Sequence, residues 1–340
     1  MLGESCKGAK ARCLLMLYEI VTWLLGIMTS WLVIDSCLPL ATKWFGTPVR
    51  AFLPSHQNKQ GIPCCGGVLV IILMVILSPL VISWHHPLLW LLEVGLVGFG
   101  LLGLIDDYYK IKGRHGIQSK AKFMAQTILA LFVCYFLAQY LGKAFFQLYL
   151  PGYGAIEMGG WAYVWSMWVI VSSCNGINIS DGLDGLATGV TLMVLVGFLC
   201  LNWLISGSGA LILKSASVTQ YVILLTAVLS GFLLHNRYPA KLFLGDCGSL
   251  AIGGLLGMLA IVSKQEVSFI FFMIVPIIEL LSVIAQVFSL NVFKRRVLLI
   301  SPLHHHFEQK KIPETKIVYA FYMITAVGVL LGLGIANLCH

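Results

Sequence analysis

Apolar stretches of about 20 residues, long enough to cross a bilayer as a helix, recur along the chain, with short polar connections between them. Continuous runs of this kind predict helices, whereas a transmembrane barrel would alternate apolar and polar residues within short segments. Ten helices are predicted, approximately Leu14 to Leu38, Gly66 to Ser83, Leu88 to Ile105, Phe123 to Leu141, Tyr163 to Ile179, Leu186 to Ile205, Val218 to Leu234, Ser249 to Val262, Val267 to Leu290 and Lys316 to Leu338. The expected fold class is all-α: a polytopic membrane protein with about ten transmembrane helices, residues 1–340 forming a single integral-membrane domain.

Composition agrees. Of the 340 residues, 59% are hydrophobic and 11% charged, with mean hydropathy +0.91; a soluble domain carries about a quarter charged residues. The ten cysteines lie mostly singly in apolar runs, without C-x-x-C spacing, and are expected to be small buried hydrophobes. When the loops are assigned alternately to two sides, sixteen Lys and Arg fall on one side and six on the other. The positive-inside rule makes the first side cytoplasmic and both termini periplasmic, the basic segment before Leu14 being the one dissenting feature. The same rule accounts for most of the lysines, so no nucleic-acid partner is expected.

Against this background the aspartates stand out. The chain has six, and five stand where apolar runs end: Asp106, Asp107, Asp181, Asp184 and Asp246. All five fall on the cytoplasmic side, from three separate loops, among basic residues. Such a mixed-sign surface suits a divalent cation held together with anionic phosphates. In Asp106-Asp107-Tyr-Tyr-Lys110, a continuing helix puts Lys110 within one turn of both acids. Magnesium takes one or two carboxylates plus phosphate oxygens and waters, which suits such a pair. Asn175, Asn178, Asp181 and Asp184 recur every third residue and form a polar row on one side of a helix; polar groups at membrane depth are costly and usually functional. Gly182 and Gly185 allow close approach of a ligand to the backbone.

Asp246 opens a helix between glycines and suits an N-cap, yet Arg237, Lys241 and Phe243 stand just before it. Ser301-Pro302-Leu303-His304-His305-His306-Phe307-Glu308 lies in the last cytoplasmic loop. Three consecutive histidines point in successive directions, a poor geometry for one zinc ion; contacts to phosphate or sugar oxygens are easier. The segment from His56 to Gly67, containing Lys59, Cys64 and Cys65, reads as a turn into the second helix. Gly98-Phe-Gly100-Leu-Leu-Gly103 matches a dinucleotide fingerprint but has no preceding strand, so close helix packing is expected. Pro276, near Glu279, is a candidate kink in the ninth helix that opens a lipid-facing groove.

In this order, D-D-Y-Y-K, N-x-x-N-x-x-D-G-L-D-G, G-D-C-G-S and P-L-H-H-H-F-E closely resemble the motifs of the MraY translocases, the phospho-N-acetylmuramoyl-pentapeptide transferases of bacterial cell-wall synthesis. With the loop lysine they cover residues 56 to 308. The resemblance implies magnesium-dependent transfer of phospho-MurNAc-pentapeptide from UDP-MurNAc-pentapeptide to undecaprenyl phosphate in the bacterial inner membrane, giving lipid I and UMP. It implies Asp246 as principal magnesium ligand, with Asp106, Asp107 and Asp181 completing the acidic core, and Asn175, Asn178, Lys110 and Lys122 as further catalytic positions. It assigns Lys59, Gly182, Leu183, Asp184, Asn236 and Phe243 to a uridine pocket, with Phe243 stacking on the base. His304, His305 and His306 correspond to substrate-contacting histidines, and a homodimer is a family expectation. The chain departs from the family where Cys64 replaces a hydroxyl residue and Arg114 a lysine. A UDP-N-acetylglucosamine-1-phosphate transferase and, in another class, a secondary transporter are the competing readings. Clustering of the acids at one face, with no visible inverted repeat, speaks against the transporter.

Overall fold

A computed structural model describes residues 2–45, 59, 61–83, 85–113, 116–204 and 216–338. Its helices are α1 (Leu2–Phe45), α2 (Gly66–Val81), α3 (Pro87–Ile111), α4 (Ser119–Leu141), α5 (Trp161–Ser180), α6 (Leu186–Leu204), α7 (Ala216–Asn236), α8 (Gly245–Ser263), α9 (Glu266–Phe272), α10 (Ile274–Val292), α11 (Leu303–Gln309) and α12 (Glu314–Leu338). Among the described residues, seven helical segments are long and apolar enough to span a membrane: those of α1, α3, α4, α7, α8, α10 and α12. The chain is a multi-pass membrane protein. Arg50, His56, Arg114 and Lys214, which figured in the reading of the loops, lie outside the described residues.

Each expected helical segment is helical, with three differences in how it is built. Apolar α2, at 16 residues, is shorter than the other spans, and α5 carries Ser172, Ser173, Asn175, Asn178 and Ser180 in its C-terminal half. The ninth helix is two helices, α9 and α10, meeting at Met273. Proline lacks an N–H to bond the carbonyl four residues back, and Pro276 sits in the first turn of α10, where that loss is tolerated. The interruption therefore precedes Pro276 by three residues instead of kinking a continuous helix at it. The loop expected to carry the histidines folds as the short helix α11. Finally, the fold is not purely helical: β1 (Gln147–Leu150) and β2 (Gly154–Glu157) form an antiparallel hairpin, Gln147 opposite Glu157.

Helix α8 lies at the centre, with every residue from Cys247 to Ser263 buried. It packs chiefly against α3 and α5, and its first turn also meets α2. These contacts depend on missing side chains. A Cβ on Gly67 would stand 2.1 Å from the Gly248 nitrogen, and one on Gly103 would stand 2.1 Å from the Asp246 carbonyl oxygen. The glycines at 98, 100 and 103 pack on Leu129, Ile71 and Asp246 respectively, so that motif joins α3 to its neighbours, as expected. The start of α2 is further fixed by Gly66 N–H and Gly67 N–H donating to the carbonyls of Phe243 and Leu244 at 3.0 and 2.8 Å, which satisfies two of its unpaired donors.

The contacts also define the two ends of the bundle. The C-termini of α3, α5 and α7 and the N-termini of α2, α4, α8 and α12 meet at one end. At the other, Gly152 N–H of the hairpin donates to the carbonyl of Leu338 at the end of α12. Tyr18, in the first half of α1, reaches Val81 at the end of α2, while Asp35, further along α1, reaches His235 at the end of α7, on the aspartate side. The first helix thus begins, and the last ends, away from the aspartate cluster. Because Gly67 meets backbone, a side chain there has nowhere to go: Gly67→Val should destabilise the protein by on the order of 3 kcal/mol or more, read as a lowered melting temperature in detergent, whereas Gly334→Ala, with open space around it, should not.

Candidate functional site

The N-terminus of α8 organises the site. Helix starts leave backbone N–H groups without intrahelical partners, and Leu244, at the N-cap, supplies no side-chain bond. Two other helices supply them. Asp107 Oδ2, at the end of α3, accepts Cys247 N–H at 2.9 Å, and Asp181 Oδ2, at the end of α5, accepts Gly245 N–H at 3.1 Å. Both carboxylates also sit at the positive end of the α8 dipole. Gly245 has φ +75°, and a Cβ there would collide with the Cys64 carbonyl and approach Asp107 Oδ2 to 2.9 Å, so the junction requires glycine.

Beside this cap is a charge box of two carboxylates and two ammonium groups. Asp106 Oδ2 lies 2.8 Å from Lys110 Nζ and 3.0 Å from Lys122 Nζ. Asp246 Oδ2 lies 2.9 Å from Lys110 Nζ and also contacts Lys122 Nζ directly. Asp106 is held in turn by the Ile117 N–H of the α3–α4 connection. Asn175 Nδ2 donates to Gln126 Oε1 of α4 at 2.7 Å, and Asn178 Nδ2 donates to Ser249 Oγ of α8 at 2.8 Å. The asparagine row therefore pins α5 to the two helices that carry Lys122 and Asp246. Cys64 lies beside the cluster; burial and the charge of Asp107 push its thiol up to about 12, so it is a neutral, weak donor at pH 7.

A second charge set forms around Lys59. Its Nζ stands 2.6 Å from Asp184 Oδ1 and 2.7 Å from Glu314 Oε1, and 5.9 Å from the centre of the Phe243 ring. Glu314 Oε1 also accepts Asp184 N–H, and Asp184 Oδ2 accepts Ala240 N–H. Burial disfavours the Lys59 charge, but Glu314 and Asp184 outweigh it and raise its pKa above the ordinary lysine value. Asn236 is buried, bonding Thr188 Oγ1 and the Leu242 carbonyl, so it shapes the 237–244 loop from within. Arg237 and Lys241, which stand before Asp246 in sequence, instead line a cavity of about 410 Å³ beside Asp184, with Tyr238, Tyr319 and Tyr322. A second cavity of about 400 Å³ has apolar walls from Val68, Leu104, Ile105 and Tyr108, and Asp107 lines it too.

The histidines are delivered by α10. Glu279, Ser282, Gln286 and Ser289, spaced 3, 4 and 3 residues apart, form one polar stripe on a helix that is apolar elsewhere up to Asn291. Ser282 Oγ accepts Leu303 N–H, Gln286 Oε1 accepts the N–H groups of Val297 and Leu298, and Ser289 Oγ donates to the Arg295 carbonyl. The whole 295–304 segment hangs on this stripe. His304 is bound by Glu279 and its Nε2 lies against Gly182, while His305 Nδ1 pairs with Glu308 at 2.6 Å and His306 Nδ1 accepts Leu299 N–H. Sequence reasoning missed Glu314 and the stripe; the spacing of 279, 282, 286 and 289 was the available signal.

Among the described residues, no three His, Cys, Asp or Glu groups stand together as a metal-ligating set. The four expected aspartates do converge, in two arrangements: Asp107 and Asp181 each engage α8 backbone, while Asp106 and Asp246 turn an oxygen toward the same pair of cations. The Lys59 set carries a pH dependence. A lysine with a folded pKa above its unfolded value of about 10.4 contributes stability that is complete below about pH 10 and lost as pH rises through the folded value. Lys59→Met should therefore melt below wild type at pH 8, and thermal scans in detergent should show the difference shrinking as pH rises beyond the ordinary lysine range.

Residues 89–264, from α3 through α8, match Glycosyl transferase family 4. The chain is 37% identical over 290 residues to the phospho-N-acetylmuramoyl-pentapeptide-transferase of Thermoanaerobacter sp. (strain X514), covering 84% of this chain and 88% of the relative. It is 37% identical over 296 residues to the enzyme of that name from Heliobacterium modesticaldum (86% and 89% covered) and 34% identical over 302 residues to that of Rickettsia bellii (85% and 84% covered). By sequence, and with the aspartate motifs gathered at one end of its bundle, the chain belongs to glycosyl transferase family 4 and, in it, to the phospho-N-acetylmuramoyl-pentapeptide-transferases.

Proposed function

We propose that this protein transfers phospho-MurNAc-pentapeptide from UDP-MurNAc-pentapeptide to undecaprenyl phosphate at the cytoplasmic face of the bacterial inner membrane, forming lipid I and releasing UMP. The observation that carries the reading is the box of Asp106, Asp246, Lys110 and Lys122 beside the α8 N-terminus. Two anions must meet in this reaction, and their repulsion is offset by fixed positive charge that also stabilises charge on the transferring phosphoryl group. Lys110 and Lys122 supply that charge, and the lysine-rich loops at this end support a cytoplasmic placement.

Asp106 and Asp246 form an all-oxygen donor pair already directed at shared cations, which fits magnesium completed by phosphate oxygens and waters. Bound there, magnesium supplies Lewis-acid polarisation of the phosphoryl oxygens. The chain's own groups do the rest. An acid of the Asp106–Asp107 pair takes the lipid phosphate proton or orients that nucleophile; Asp107, lining the apolar cavity along α2 and α3, faces the path of a hydrocarbon acceptor with a phosphate head. The uridine lies in the Lys59 region, with Phe243 stacking on the base and Gly182, Leu183 and Asp184 forming the wall; Asn236 maintains the wall's shape. Asn175, Asn178 and Asp181 keep α5 in register with α8. His305 and His306 lie beside His304 near the sugar and diphosphate. The protein acts as one integral-membrane unit over its 340 residues.

Purified protein given UDP-MurNAc-pentapeptide, undecaprenyl phosphate and magnesium should release UMP and form lipid I, and UDP-N-acetylglucosamine should not replace the donor. Asp246→Asn should reduce UMP release by on the order of 10³-fold while eluting as wild type from gel filtration; near-normal release would overturn the site. Chelation of magnesium should abolish release by the wild-type protein, and its return restore it.

A further inference from the structure

We propose that Glu279 is a positioning residue that fixes the proton of His304 on Nδ1, so that Nε2 faces the nucleotide sugar at Gly182 as a hydrogen-bond acceptor. The ligand group it takes is a hydroxyl or amide N–H of that substrate, not a phosphoryl oxygen; the inference rests on the functional reading above and deepens it.

Glu279 is 0% exposed and His304 1% exposed, so neither side chain has water to complete its bonding. Glu279 Oε1 accepts the backbone N–H of His304 at 3.1 Å, which fixes that carboxylate oxygen in place. Its Oε2 lies 3.0 Å from His304 Nδ1. A carboxylate offers only acceptors, so in the neutral imidazole Nδ1 carries the hydrogen and Nε2 the lone pair. Nε2 is buried and has no partner among the described residues. It also points at a specific place: a Cβ on Gly182 would stand 2.2 Å from it, so the glycine of the D-G-L-D-G segment leaves room for this nitrogen. A buried polar atom left unsatisfied costs roughly 1 to 3 kcal/mol, and a substrate group arriving at Gly182 removes that cost. Glu279 Oε2 holds the ring at Nδ1, while Ser282 at Leu303 and Glu279 Oε1 at His304 hold the backbone that carries it.

This arrangement gives Glu279 a role that packing alone would not. In Glu279→Gln the amide oxygen can still accept His304 N–H, but its NH₂ group then faces Nδ1 and favours the opposite tautomer, turning Nε2 from acceptor to donor. Steady-state UMP release, measured for Glu279→Gln, His304→Ala and the double variant, tests the idea. Glu279→Gln alone should lose ten- to a hundredfold in kcat/KM for the nucleotide sugar. In the His304→Ala background the same change should cost less than twofold, since the group it acts through is gone. Glu279→Asp, which keeps a carboxylate, should recover part of the activity and show the same coupling in its own cycle, so the test stands even if the glutamine variant does not fold. Effects that multiply in the double variants, or a folded Glu279→Gln with wild-type kcat/KM, overturn the assignment. Absence of UMP release by wild-type protein would defeat the functional reading itself, whereas wild-type turnover with independent effects defeats only this one.

Discussion

A helix start buried inside a membrane protein needs partners for its first N–H groups, and at α8 those partners are carboxylates borrowed from other helices. Asp107 and Asp181 reach Cys247 and Gly245, respectively, from α3 and α5 because close backbone approaches, Gly67 of α2 against Gly248, Gly103 of α3 against Asp246 and Gly253 against Ser173 of α5, bring these helices onto α8 without intervening side chains. The same convergence puts Asp246, in the first turn of α8, next to Asp106. Structural need and chemical potential thus share one location: the groups that satisfy the helix start are neighbours of the carboxylate–ammonium box to which the proposed function assigns the phosphates.

Concentrating carboxylates in a poorly hydrated place is unfavourable unless each meets positive charge or N–H donors. Two solutions operate side by side. Lys110 and Lys122 neutralise Asp106 and Asp246, whereas Lys59 bridges Asp184 and Glu314, which also accept the N–H groups of Ala240 and Asp184. The two sets are linked through the segment 181–184, whose first acid caps α8 and whose last holds Lys59. Under the proposed function, a substrate with a nucleotide at one end and a phosphoryl centre at the other would meet both sets in turn.

Much of this was legible in the sequence because charged residues are scarce in it. Asp106, Asp107, Asp181, Asp184 and Asp246 stood out against apolar runs, and helix ends in a membrane protein can lie on only two faces, so their convergence followed from counting spans. What stayed hidden depended on pairing in three dimensions. Glu314 reads as an ordinary first-turn acid of a helix until Lys59, 255 residues away, is placed beside it. Glu279 reads as an isolated polar residue near a proline, and only the bonds of Ser282, Gln286 and Ser289 show that it belongs to a stripe. The hairpin at Gln147–Glu157 was missed because a search for apolar runs passes over two short strands joined at Pro151-Gly152. The α9–α10 break was misplaced because Pro276 was taken as the site of disruption, not as the first turn of a new helix.

The way the 295–304 segment is suspended bears on how such enzymes can be recombined. The Arg295 carbonyl and the N–H groups of Val297, Leu298, Leu303 and His304 are met by side chains from α10. Grafting the histidine-bearing stretch from one relative onto another would leave it without an anchor unless the matching face of α10 travelled with it. The smallest exchangeable module therefore runs from Ile274 to Gln309.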